Sequence, residues 1–278
     1  MTVYADLLRY RELFGNLFRR DFQAKYRGSA LGVLWSLLNP LALTAVYLVV
    51  FGLLWQGNTV PHYPLFLLDG LACWTFFGTS LQAATRSLVD SAELVKKVRF
   101  PRQLVPFSSV ATQLVTFAVM LAILVVGSLV TIPGARTTIV LVVPLAVLFV
   151  CFVAGLALLL ACLDVLLRDV EYILTAALLP WFFLTPVLWS FASLPEKVQR
   201  HTLLLHILRW GNPASPTISA VRSALWASGG PRLADVVYLA VAAVVSLALG
   251  AFTFSRLDDR LADRKSTRLN SSHTDISS

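Results

Sequence analysis

The sequence predicts an all-α polytopic membrane protein: six transmembrane helices, an N-terminal amphipathic interface helix, and two short re-entrant helices before the last span. Three observations lead there. Hydrophobic residues make up 57% of the chain and charged residues only 14%, where soluble domains run nearer about 45–50% and about 25%. The apolar residues lie in long runs rather than short periodic faces, and a run of about 18 or more reads as a span because a helix needs roughly 20 residues to cross about 30 Å of hydrocarbon. The net charge is +8, and its bases gather at the edges of the apolar runs. That placement points to topology and anionic lipid head groups rather than to nucleic acid.

Residues 1–30 form a cytoplasmic N-terminus. Leu7, Leu8, Leu13, Phe14, Leu17, Phe18 and Phe22 recur near helical spacing, with Arg9, Arg11, Arg19 and Arg20 between them. This is an amphipathic helix suited to lying in the head-group region. No signal-peptide core precedes it, so no cleavage is expected. The membrane domain then covers 31–256. Its spans are expected near 34–55, where Asn39-Pro40 interrupts the start, and near 65–81, 103–130, 138–163, 172–191 and 236–254. A basic stretch over 85–102 separates the second and third spans, and a short charged link over 164–171 separates the fourth and fifth. Within the long connection before the last span, 203–210 and 218–226 are apolar but too short to cross. They read as re-entrant pieces within 195–230, which need protein or a watery cavity around their backbone ends. Residues 257–278 form a cytoplasmic tail. Its last part, 264–278, turns to Ser, Thr, Asn and Arg and is expected to be disordered; it is also open to being a cloning or read-through scar.

Charge orients the chain. The N-terminal segment carries six bases, Arg9, Arg11, Arg19, Arg20, Lys25 and Arg27, and the second-to-third connection carries five. The first outer connection has none and the second only Arg136. The last outer connection breaks the rule, but long connections weigh less. Both termini are therefore expected in the cytoplasm.

Some chemistry is missing. There is no G-x-x-x-x-G-K-[ST] for ATP phosphates, no H-E-x-x-H and no G-x-S-x-G. Cys73, Cys151 and Cys162 fall inside apolar runs and read as packing residues. No metal, cofactor or catalytic residue is expected on this chain. Charges inside the spans are scarce, which disfavours an ion-coupled carrier. Asp69 reads as an interfacial carboxylate bonded to backbone.

Three local patterns stand together. The first runs from Arg20-Asp21 through Lys25-Tyr26-Arg27 and Leu31-Gly32 to Trp35, then Asn39-Pro40. The second is a basic segment, Lys96, Lys97 and Arg99, closed by Phe100-Pro101. The third is Asn212-Pro213 followed by Arg222. In this order, over roughly 4–263, they resemble the membrane subunit of ABC-2 class transporters, and within that class the O-antigen, teichoic acid and capsular polysaccharide export permeases.

The resemblance implies a homodimer forming the pore and a separate P-loop ATPase subunit that binds ATP and Mg. It implies ATPase coupling at Glu93, Lys96, Lys97, Arg99, Phe100 and Asp169. Arg19, Arg20, Tyr26, Arg27 and Trp35 would belong to the interface helix and its exit, in contact with membrane lipid. The substrate would be an undecaprenyl-linked or otherwise lipid-anchored glycan moved outward. Trp74, Phe77, Trp181, Phe182 and Phe183 are candidates for its path, because flat aromatic faces carry sugar rings without tight charged binding. An ABC-2 permease for drugs or small lipids shares the expected fold. A membrane enzyme acting on polyprenyl lipids would need convergent carboxylates, and only Asp164, Asp169 and Glu171 cluster at the inner side; their nearness to Arg168 suits a salt-linked loop better. A structural assembly protein would not need re-entrant segments.

Overall fold

The computed structural model describes Asp6, residues 9–28, Gly32, 34–54, 60–92, 101–194, 196–226 and 230–274; for 52–54 and 257–274 it describes the backbone alone. Helix α1 is Arg11–Tyr26. Helix α2, Leu34–Tyr47, continues in wider π-helical turns over Leu48–Leu54. Next come α3, Tyr63–Asp90, and α4, Leu104–Thr131. Two short 3-10 turns lead into α5, Val142–Leu166, and α6 is Val170–Leu184. Short α7, Glu196–Gln199, and α8, Thr202–His206, precede α9, Ala214–Trp226. Helix α10 runs over Leu233–Thr274.

Helix α3 is the centre of the bundle. Every residue from Phe66 to Cys73 is buried, as expected for a helix apolar on all sides. Helices α4 and α5 flank it, α2 and α6 pack on its remaining sides, and α10 lies along α5. The α5–α10 contact is close because both helices carry glycine at the crossing. A Cβ on Gly155 would strike the backbone of Ser246 and Leu247, and one on Gly250 would stand 2.6 Å from the Gly155 carbonyl. Small residues are how helices approach where lipid supplies no hydrophobic drive between them. The outward faces keep large apolar side chains such as Val126, Val130, Val143, Leu179 and Val244 exposed, which is the face a bilayer covers.

Among the described residues, five helices are long and apolar enough to cross a membrane: 34–51, 63–90, 104–131, 139–166 and 233–256. The sixth, α6, has 15 residues, about 22 Å of helix, short of the hydrocarbon thickness. The sequence suggests a fifth span to 191, but the helix stops before Pro186, which has no N–H to donate and biases the residue before it toward extended backbone. Extended backbone follows at Thr185, and residues 185–188 are buried. Non-helical backbone at membrane depth survives only in such protein surroundings.

Other boundaries also move. Residues 85–90, expected in a polar connection, complete α3. Their hydroxyls are satisfied inside the helix, Thr85 donating to the Leu81 carbonyl at 2.7 Å and Ser87 to Ala84 at 2.6 Å. The tail, expected to be disordered from 264, continues α10 to Thr274. Once a helix exists, each added residue costs only its own ordering, and the intervening Leu, Ala, Arg and Lys residues propagate it well.

Helix α1 packs against α4. Gln103 donates to Asp6 at 2.7 Å, Ser108 to Asp21 at 2.5 Å, and Lys25 to Gln113 at 2.6 Å. From Asp6 to Lys25 the chain thus advances about 15 Å along α4. Leu17 anchors it, buried against Leu88, Leu104, Val105 and Phe254. The end of the bundle where α1 begins is called the near end below; the end holding Tyr63 is the far end.

Candidate functional site

The densest polar constellation sits at the far end, around α9. Asn212-Pro213 starts that helix. The Asn212 side-chain oxygen accepts from the Ala214 backbone N–H at 3.1 Å and from the Trp181 indole at 2.7 Å. Its amide nitrogen donates to the Thr185 hydroxyl at 2.9 Å. One side chain therefore caps α9 and ties it to the broken end of α6. Trp181 also meets Phe77 and Trp74, with ring centroids 5.2 and 6.2 Å apart. Trp74 lies eleven residues into α3, about 17 Å from its start, so α9 begins deep in the bundle. It ends at the surface, where Trp226 packs on His62 and Phe66. This down-and-back path makes α9 re-entrant, and it is buried over most of its length. The segment before it, 202–211, turns Leu203 and Ile207 outward. Its inner side is held by Arg209 on the buried Asp235 at 3.2 Å and by the Tyr238 hydroxyl on the Trp210 carbonyl at 3.0 Å.

The other end of α9 is fixed by charge. Arg222, 8% exposed, pairs with Asp69, 1% exposed, at 2.9 Å. The same guanidinium donates to the Pro186 carbonyl at 2.7 Å and lies 3.8 Å over the Phe66 ring. Gly70 makes room for it: a Cβ there would occupy the place of the Arg222 Nη2 and stand 2.8 Å from the Val187 carbonyl. The carbonyls freed where α6 breaks thus find their donor in α9, and the charge of that donor is balanced from α3. Asp69 is a deep ion-pair partner of Arg222, not the backbone-bonded interfacial carboxylate expected. The available signal was a lone acid and a lone base, each in an apolar run; their separation by 153 positions hides the pairing.

A second network closes the near end. Glu171 pairs with Arg86 at 2.8 Å, Arg86 stands 3.7 Å from Asp90, and the Glu171 backbone N–H donates to Asp164 at 3.2 Å. The 164–171 link is salt-linked to α3 through Arg86, not through Arg168. Asp169 is exposed beside Leu166, Leu167, Tyr172 and Ile173, which are exposed as well. Glu93, Lys96, Lys97, Arg99 and Phe100 lie outside the described residues.

Of the aromatic candidates, the structure brings Trp74, Phe77, Trp181 and Phe182 into one cluster, with Trp74 and Phe182 centroids 5.6 Å apart. Phe77 and Phe182 are buried in the core of the single chain, while Phe183 is 54% exposed on the outside. Trp74 and Trp181 are half-buried between them. The interface residues divide too. Arg19 and Arg27 are exposed, and Arg20 pairs with Asp21 at 2.8 Å. Tyr26 shares hydrogen bonds with Ser36 at 2.8 Å and Thr116 at 3.3 Å. Burial pushes the Tyr26 phenol up, but its bonds to Ser36 and Thr116 and the nearby Lys25 outweigh this and leave it below its ordinary value. Trp35 stands half-exposed at the start of α2. Cys73 and Cys162 are buried and Cys151 is half-buried.

This architecture has known counterparts. A family model described as ABC-2 type transporter matches residues 12–226, from α1 to the end of α9, and so includes both ends of the Asp69–Arg222 pair. The chain is 30% identical over 263 residues to the O-antigen export system permease protein RfbA of Myxococcus xanthus, covering 95% of this chain and 99% of that protein. It is 30% identical over 196 residues to a protein of the same name from Klebsiella pneumoniae, covering 69% and 75%. With a bundle of membrane-length helices, a re-entrant α9 and a match over most of its length, the chain belongs to the ABC-2 type transporter family.

Proposed function

We propose that this chain is the membrane-spanning permease of an ATP-driven exporter that moves a lipid-linked polysaccharide of the O-antigen type outward across the cytoplasmic membrane. The observation that carries the reading is the near end-to-end match, 95% of one chain against 99% of the other, to a protein named for O-antigen export. The near end faces the cytoplasm, in keeping with its bases. ATP is hydrolysed on a separate P-loop subunit, since this sequence has no phosphate-cradling loop. That subunit docks under the segment 85–102 and the exposed apolar surface around Leu166, Leu167 and Asp169. Two copies of the chain form the pore, and α9 with the broken end of α6 gates its outer mouth.

Deleting the gene tests this. The expected phenotype is loss of surface polymer with lipid-linked polymer accumulating inside, both reversed by a plasmid copy. Surface polymer at wild-type level in the deletion strain contradicts the reading. Loss of resistance to an exported drug in its place favours the small-molecule branch of the family.

A further inference from the structure

A cleft of about 560 Å³, open on one side, lies between α1, α2, α3 and α4. Its wall is set deep. Gln113 and Thr116 sit nine and twelve residues past the start of α4, about 14 and 18 Å along it. Yet the wall is polar. Hydroxyls come from Tyr26, Ser36 and Thr116, and amides from Asn39 and Gln113. Pro40 has no N–H, so the Ser36 carbonyl loses its helical donor and stays available as an acceptor. The Asn39 side chain is exposed and makes no hydrogen bond among the described residues. Bare amide and carbonyl groups are costly against hydrocarbon, so the cleft has to meet something polar at a depth where lipid chains would otherwise lie.

Charge narrows the occupant. Lys25 is exposed, donates to Gln113 at 2.6 Å and stands at the Tyr26 phenol, 5.2 Å from its ring centre. A second groove of about 890 Å³ shares Tyr26 and is lined by Arg19, Arg20 and Arg27. Among the described residues no carboxylate lines either groove. The deep end is apolar, formed by Phe76, Phe117 and Met120. An anion at the mouth, hydroxyl-like neighbours within and a hydrocarbon chain beyond describe one class of molecule.

We infer that this cleft binds the phosphate-bearing head group of a lipid. The phosphate sits at Lys25, the uncharged polar part lies against Ser36, Asn39 and Gln113, and the chain leaves through the open side. The site stands on the cleft alone. Only the identity of the lipid rests on the exporter reading: the isoprenoid diphosphate of a glycan carrier, or an anionic membrane phospholipid.

The test uses the full-length chain, with any co-purifying subunit, in phosphatidylcholine nanodiscs and a photoreactive isoprenoid diphosphate as probe. Labelled peptides are identified by mass spectrometry. The label is expected on peptides carrying Asn39 and Gln113. It should fall about tenfold or more in Lys25→Gln, the range for loss of one charged hydrogen bond, and persist in Lys25→Arg. Competition by unlabelled isoprenoid diphosphate but not by phosphatidylglycerol assigns the carrier, and equal competition assigns bulk phospholipid; both support a head-group site. Labelling spread outside the cleft, or unchanged in both Lys25→Gln and Asn39→Leu, overturns it. Absence of an ATPase partner would count against the exporter reading and leave the labelling result standing.

Discussion

Removing one partner of the Asp69–Arg222 pair should be among the most damaging single changes available to this chain. Two unit charges 2.9 Å apart attract by about 6 kcal/mol at an effective dielectric of about 20. Desolvation opposes much of that in a pair this buried, but the penalty falls on whichever partner remains. Asp69→Ala leaves the Arg222 guanidinium with the carbonyls of Pro186 and Val187 and no counter-charge, a loss of about 3–5 kcal/mol. At about 2–4 °C per kcal/mol for a chain of this size, the unfolding midpoint in detergent should fall by at least about 6 °C. Asp69→Asn keeps a hydrogen-bond acceptor and should lie between the variant and wild type. The double replacement Asp69→Leu with Arg222→Met removes both charges and should recover part of the loss, because apolar substitutes for a buried pair are often tolerated. The assay is a thermal-shift series in which wild type, Asp69→Leu, Arg222→Met and the double replacement form a double-mutant cycle, with Asp69→Ala and Asp69→Asn measured beside them. Effects that simply add, or an Asp69→Ala midpoint within about 1 °C of wild type, would refute the claim that this pair holds α9 against α3.

Four further outcomes follow from the same geometry. Gly155→Leu should lower the unfolding midpoint, by about 1–3 kcal/mol of overpacking, because its side chain meets the α10 backbone; a neutral result on thermal shift would mean the crossing is looser than described. Trp181→Phe removes the donor to Asn212 and should cost about 0.5–1.5 kcal/mol, while Asn212→Ala should cost more by also uncapping α9; both are read in the same assay. Replacing Lys96, Lys97 and Arg99 together should leave membrane insertion intact but cut polymer export and its coupling to ATP hydrolysis, and unchanged export removes that segment from the coupling role. Changing Trp181, Phe182 and Phe183 to Ala should slow export while ATPase binding persists; wild-type surface polymer places those aromatics in packing alone.

Much of the fold was legible because the bilayer imposes a long, simple signal. The apolar runs that became α2 to α5 and α10 hold few charges over the length a membrane demands, and 218–226, too short to cross, was readable as a separate piece for the same reason. Boundaries were less legible where polar residues could be satisfied within a helix. Thr85 and Ser87 bond their own preceding turns, so they extend α3 where composition alone suggests a connection. Proline gave the opposite outcome at Pro186, where α6 ends early and the carbonyls just past the break, those of Pro186 and Val187, accept from Arg222.

The site was legible in its parts and not in its joints. Asn212-Pro213 and Arg222 were singled out from sequence, as were Trp181 and Phe182. That Asn212 bonds Trp181 and that Arg222 meets Asp69 depends on how α6 and α9 fold back on α3, and no local spacing records it. The interface helix illustrates the same limit. Its amphipathic pattern says that one face is apolar, but its climb is set by Asp21, Lys25 and Tyr26 finding Ser108, Gln113 and Thr116 on another helix.

The central claim is that this chain is the pore-forming half of an ATP-driven exporter, and a pull-down tests it most directly. The tagged chain is extracted in mild detergent and its co-purifying proteins are identified by mass spectrometry. The account predicts a P-loop ATPase recovered in near-stoichiometric amount. Recovery of the chain alone, under conditions that keep other ABC complexes together, would contradict it and turn attention to the carboxylates Asp164, Asp169 and Glu171 at the near end.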